Sequence, residues 1–169
     1  MKKLSTNGLR VLKVVHLICA ILWIGSAVAL NLLRYLVPVE DAASMYYLAK
    51  VLEAIDMQLL VPGAVGCLLT GIVYGVWTNF GFFKHRWLTV KWVLTLFMIL
   101  LGTFCMGPLV KENVTIGKAL MEGVGDAGQY AANVEANAYL GALQLSLLMI
   151  VLVISVWKPW KKKNNNKQK

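Results

Sequence analysis

Residues 13–34, KVVHLICAILWIGSAVALNLLR, decide the fold class. The stretch is apolar except for Lys13 and His16 near its start, Ser26 within it, and Asn31 and Arg34 near its end. A helix of ~20 apolar residues rises 1.5 Å per residue and crosses ~30 Å of hydrocarbon. Three further stretches have this character, so membrane-spanning helices are expected at about 11–36, 58–80, 87–109 and 137–157. A hydrophobic content of 59 % and a mean hydropathy of +0.65 over 169 residues exclude an ordinary soluble domain. A transmembrane barrel would need ~10-residue alternating segments, and the sequence has none. The expectation is an all-α membrane protein. Residues 1–157 form one antiparallel four-transmembrane-helix bundle, and residues 158–169 a basic, disordered tail. The SAVA at 26–29 resembles a signal-peptide cleavage site, but the apolar run continues past it, so the segment is read as a true helix.

Charge sets the expected orientation. Of 17 Lys and Arg, 13 fall before or early in helix 1, around the helix 2–3 connection, or after helix 4. Arg34, Lys50, Lys111 and Lys118 are the four on the other side, together with all eight Asp and Glu. The positive-inside rule then places both termini in the cytoplasm and the protein in a bacterial inner (plasma) membrane. The net charge of +9 is mainly a topology signal. The basic tail favours anionic lipid, and no nucleic-acid partner is expected.

No nucleotide loop, G-x-S-x-G, H-E-x-x-H or C-x-x-C is present. Cys19, Cys67 and Cys105 lie in three different helices and read as small buried thiols. At 100° per residue, each helix gathers its polar and small residues on one stripe. Helix 1 has His16, Trp23, Ala27, Asn31 and Arg34; helix 2 has Asp56, Gly63, Cys67, Thr70 and Tyr74. Helix 3 has Trp87, Lys91, Thr95, Met98, Gly102 and Cys105; helix 4 has Asn137, Gly141, Gln144 and Ser155. These stripes belong inside, since lipid-facing surface favours Leu, Val and Ile. Thr70, Thr95 and Ser155 read as interhelical glue, and Gly71 with Gly75 as a GxxxG packing motif.

Ionisable residues cost more. A charge at the bilayer centre costs at least ~2.5 kcal/mol on insertion scales. Arg34 and Asp56 share the outer level on consecutive helices and are expected to form a structural ion pair. His16 and Lys91 share the cytoplasmic level. Lys91 either snorkels to the headgroups or serves a site. His16 either donates to a backbone carbonyl or holds haem iron, as imidazoles facing membrane bundles do. His85, in the loop FKHR, reads as a solvated surface residue.

The segments LKVVHLICAILWIG, VPGAVGCLLTG and RWLTVKWVL, in that order, resemble the first three helices of the small CopD/HemJ-type membrane proteins. AIDMQLLVPG is most similar to a subgroup of predicted integral membrane proteins of unassigned function. The resemblance covers residues 9–105. It implies a four-helix bundle with haem b and porphyrinogen oxidation in the HemJ branch, or copper handling in the CopD branch. His16 takes the first-helix histidine position, and Lys91 the lysine of W-L-x-x-K. Trp23, Pro62 and Gly71 take framework positions. Thr89 stands where the HemJ pattern has a histidine, and only Gly102 and its apolar neighbours stand at a later one.

Three functions follow. The first is a haem-b-binding redox protein that transfers electrons or oxidises a porphyrin-like or quinone-like molecule. His16 ligates the iron there, Lys91 or Met98 is the second ligand, and Lys13, Lys84, Arg86 and Lys91 serve the propionates. Ala20, Ala27, Gly63 and Gly66 make room for the macrocycle, and Trp23 completes the site. The second is copper handling by His16, Met57, Met98, Cys105 and Met106. The third is a cofactor-free scaffold or partner subunit.

Overall fold

The computed structural model describes residues 4–78 and 85–158, all helical apart from short connections. Four long rods result: α1 (Thr6–Leu36); α2 (Ala42–Ile55) running into α3 (Val61–Trp77); α4 (Arg86–Leu101) running into α5 (Gly107–Met121); and α6 (Ala127–Trp157). The rods have 31, 36, 36 and 31 residues, and each is apolar enough to cross a membrane. At 1.5 Å per residue the middle two measure roughly 54 Å, well beyond ~30 Å of hydrocarbon.

The extra length lies at one end, beyond the helix bounds expected from the apolar runs. Residues 37–56 are mostly α2, which starts at a capping box: the Asp41 carboxylate accepts from Ser44 N (2.7 Å) and Ser44 Oγ accepts from Asp41 N (3.0 Å). In the glycine-rich 110–136 stretch a short turn joins two helices that continue the long rods. α5 continues to Met121, Gly123 turns the chain at φ +78°, and Asp126 caps α6 by accepting from Gly128 N (2.8 Å) and Gln129 N (3.1 Å). α2 packs on α5 closely enough that a Cβ on Gly117 would sit 2.9 Å from the Tyr46 Cα. Tyr130 donates to Met45 O, and Asn133 donates to Glu112, tying α6 to this pair.

The middle rods each change character at mid-length. Residues Asp56–Leu60 and Gly102–Met106 are π-helical turns, in which Val61 N–H bonds Asp56 O and Gly107 N–H bonds Gly102 O. A proline follows immediately in both, Pro62 and Pro108. Proline lacks an N–H and clashes with the carbonyl four residues back. The wider π turn moves that carbonyl aside, which accounts for the paired occurrence. On the acidic side of these turns α2 and α5 are in contact. On the basic side, α3 packs on α1 and α4 on α6, with no extensive α3–α4 packing among the described residues.

The core lies between: Trp23, Ala27, Ala64, Cys67, Leu148 and the fully enclosed Met98 draw on all four rods. α1 and α3 approach most closely at Gly63, where a Cβ would lie 2.7 Å from the Trp23 amide nitrogen. The outer faces carry exposed Val14, Ile21, Leu69, Val93 and Leu100, as a lipid-facing surface requires. The expected tail beyond Lys158, and Lys84, lie outside the described residues.

Candidate functional site

The α1–α3 contact fixes the site. With Gly63 against Cys19 and Trp23, antiparallel helices bring Thr70, two turns further along α3, level with His16. The His16 Nδ1 and Thr70 Oγ1 are 2.7 Å apart. Thr70 has a single hydroxyl proton, and it donates to the Gly66 carbonyl at 2.6 Å, with the Cys67 carbonyl at 3.2 Å. With that proton on the Gly66 carbonyl, the Thr70 oxygen is available to accept from His16 Nδ1–H, the direction being set by the ring tautomer. In that neutral tautomer the lone pair sits on Nε2, which has no hydrogen-bond partner among the described residues. Tyr74 meets the imidazole edge-on, with ring centroids 5.7 Å apart.

His16 faces a cavity of about 500 Å³ between α1, α3, α4 and α6, within the usual span of small-molecule and cofactor sites. Its walls are mostly apolar. Leu17, Ala20 and Trp23 come from α1; Gly71, Tyr74 and Gly75 from α3; Trp87, Lys91, Trp92 and Thr95 from α4; and Leu148, Val151 and Ser155 from α6. The cavity exists because α3 and α4 diverge past the π turns. Trp92 bridges the gap, its ring 3.5 Å from where a Gly71 Cβ would stand. Among the described residues Lys13, Lys91 and Lys158 line the cavity, and no acid does. Lys91 is close enough to His16 to interact electrostatically. An occupant that is mostly apolar with an anionic group near the lysines suits these walls.

Residues 10–159 match the model of a family described as predicted integral membrane protein (DUF2269). The chain belongs to that family. No curated protein and no solved structure matches it. Membership makes this DUF2269 chain a multi-pass integral membrane protein in contact with lipid, in agreement with its four apolar rods.

Of the residues expected in the site of this DUF2269 protein, His16, Lys91, Lys13 and Trp23 line one cavity. Met98 and Arg86 do not: Met98 is 0 % exposed in the core, and Arg86 points outward at the start of α4. Ala20 makes room as expected, but Gly63 and Gly66 are used for α1–α3 contact, and Ala27 belongs to the core. The soft side chains considered for copper are dispersed. Met57 lies in one π turn, Cys105 is exposed in the other, and Met98 is enclosed. Among the described residues no three His, Cys, Asp or Glu gather as a metal site. His85 stacks on Trp87 at 6.1 Å and does not line the cavity.

The Arg34–Asp56 ion pair is not formed; among the described residues the one ion pair is Lys50–Glu53. Arg34 Nη1 instead donates to the Asn137 carbonyl at 2.8 Å, and Asp56 stays within Coulombic reach of Arg34 and Lys111. Asn31 Nδ2 donates to Ala27 O at 2.8 Å and reaches Gly141 O at 3.5 Å. Gly141 permits this, since a Cβ there would meet Asn31 and Arg34 at 2.9 and 3.1 Å. α1 packs against both α6 and the π turn of the second rod, and at this level the α6 carbonyls of Asn137 and Gly141 take the Arg34 and Asn31 donors.

Proposed function

We propose that this protein is a haem-b-binding membrane redox protein in which His16 Nε2 ligates the iron. The observation that carries the reading is the imidazole in the wall of an apolar cavity with its Nδ1 2.7 Å from Thr70 Oγ1, an arrangement that leaves Nε2 for a ligand. Metal-ligating histidines ordinarily donate their other ring N–H to such a partner. Haem, when bound, supplies one-electron chemistry. The chain's own residues do the rest. Lys13, Lys91 and Lys158 balance the propionates, Gly71 and Gly75 leave space beside the macrocycle, and Leu17, Trp87 and Leu148 keep water from its faces. Met98 is enclosed in the core, so of the two second-ligand candidates only Lys91 reaches the cavity. The wider CopD/HemJ-type resemblance supports the same reading, with electron transfer or porphyrin- or quinone-type oxidation as the role. By the positive-inside rule the cavity lies in the cytoplasmic half of a bacterial inner membrane.

The test is the visible spectrum of the purified protein, recorded beside a metal analysis. Wild type shows a Soret band when haem is supplied, and His16→Ala loses it while keeping its helical circular dichroism. Stoichiometric copper without haem, absence of both, or a wild-type spectrum in His16→Ala overturns the reading.

A further inference from the structure

We infer that Thr70 is a positioning residue: its hydroxyl holds His16 as the Nδ1–H tautomer and aims Nε2 into the cavity. A threonine in a membrane helix commonly turns its hydroxyl back to the carbonyl four residues earlier, and Thr70 does so at 2.6 Å. Such a bond is ordinarily the whole account of the side chain. Here it has a second effect. With its only proton committed, the oxygen can act toward His16 solely as an acceptor, 2.7 Å from Nδ1. The backbone of α3 thus dictates which imidazole nitrogen carries the proton. The geometry is rigid, because the hydroxyl is anchored on its own helix and Gly63 fixes α3 against α1. Tyr74, one turn beyond Thr70, packs edge-on against the ring and limits its rotation. The acceptor is neutral, so the ring is oriented without the added negative charge of the carboxylate that often stands in this place.

The use of the lone pair rests on the haem reading; the tautomer does not. The first measurement is therefore free of haem: ¹⁵N NMR of protein labelled at histidine, in bilayer nanodiscs at alkaline pH, well above the ordinary imidazole pKa of about 6.5. His16→Ala distinguishes the His16 signals from those of His85. Wild type and Thr70→Ser should show Nδ1–H. In Thr70→Val the Nδ1 proton has no acceptor, and the population should move to Nε2–H. An Nε2–H tautomer in wild type, or an unchanged tautomer in Thr70→Val, overturns the inference. If Thr70→Val does not fold, the wild-type tautomer and its retention in Thr70→Ser still decide. The second measurement uses haem-loaded protein. Thr70→Val should lose about 10–100-fold in haem affinity and shift the reduction potential, with Thr70→Ser restoring both. Failure of wild type to take up haem would count against the haem reading and leave the NMR result standing. Haem binding with no change of affinity or potential in Thr70→Val would remove Thr70 from that role.

Discussion

Two glycine pairs on α3 show how much a single residue's meaning depends on its neighbour. Gly63 and Gly66 lie against α1, whereas Gly71 and Gly75 border the cavity. The sequence reading assigned them the other way round, with the GxxxG as helix contact and the first pair as space for a ligand. At 100° per residue Gly66 and Gly75 lie on opposite sides of α3, so the two pairs face different neighbours. Spacing separates the two sides but does not tell which of them meets a helix and which meets a void. The difference is measurable. Gly63→Ala places a Cβ 2.7 Å from the Trp23 nitrogen and 3.0 Å from the Cys19 carbonyl, backbone that cannot yield, and should cost about 1–3 kcal/mol by overpacking in reversible detergent unfolding. Gly71→Ala meets only the Trp92 ring at 3.5 Å, ordinary contact distance, and should unfold like wild type. Gly71→Leu should also fold but fill the cavity, and its Soret absorbance should fall. Thr70 was legible as a polar residue on the right face, but its pairing with His16 was not. That pairing depends on the α1–α3 registry set by Gly63.

At the level of elements, the four rods were legible because each carries a long apolar run. Their extensions were not, because α2, α5 and the start of α6 contain the acids, glycines and asparagines of an aqueous segment. Local caps and mutual packing override that composition. Asp41 is the clearest case. The Ser44 backbone N–H, then its hydroxyl, hold the Asp41 carboxyl below its ordinary pKa. A depressed folded-state pKa contributes stability above the unfolded value of about 3.9, lost as pH falls through the lower folded value. Amide exchange at Ser44 should accelerate over that acidic window in wild type, and should be fast and insensitive to it in Asp41→Ala. The π turns are the other unread feature. Each holds one more residue per turn than an α-helix, so removing one residue rotates everything beyond it by ~100°. Deletion of the exposed Gln58 should leave the α2–α5 contact in place while turning Thr70 away from His16. The readouts are the His16 tautomer and the Soret band; a variant that keeps both would show that the π turn does not set the α3 register.

For the whole molecule, charge and shape point along one axis. The acids lie in the helical extensions or the turns joining them, with Glu53, Glu112 and Glu135 on their helices and Glu40, Asp41, Glu122 and Asp126 at the connections. Asp56, the deepest of them, starts a π turn in Coulombic reach of Arg34 and Lys111. Among the described residues Arg10, Lys13, Arg86, Lys91 and Lys158 lie toward the other end, by the cavity. A bilayer of ~30 Å can cover the apolar lengths of rods that measure roughly 54 Å only if it sits toward the basic end, with the α2–α5–α6 extension standing in water. The positive-inside rule adds an expected direction: with 13 of the 17 Lys and Arg of the sequence on the other side of the apolar runs, the extension is expected to face outward. A variant without Cys19, Cys67 and Cys105 allows a direct check. A cysteine introduced at Val124, 78 % exposed in the turn between α5 and α6, should react with a membrane-impermeant maleimide in intact cells. A cysteine at Arg86, exposed at the opposite end of the rods, should react only after the membrane is opened. The reverse pattern would put the cavity and its lysines on the outer side and overturn the expected direction of electron or substrate access.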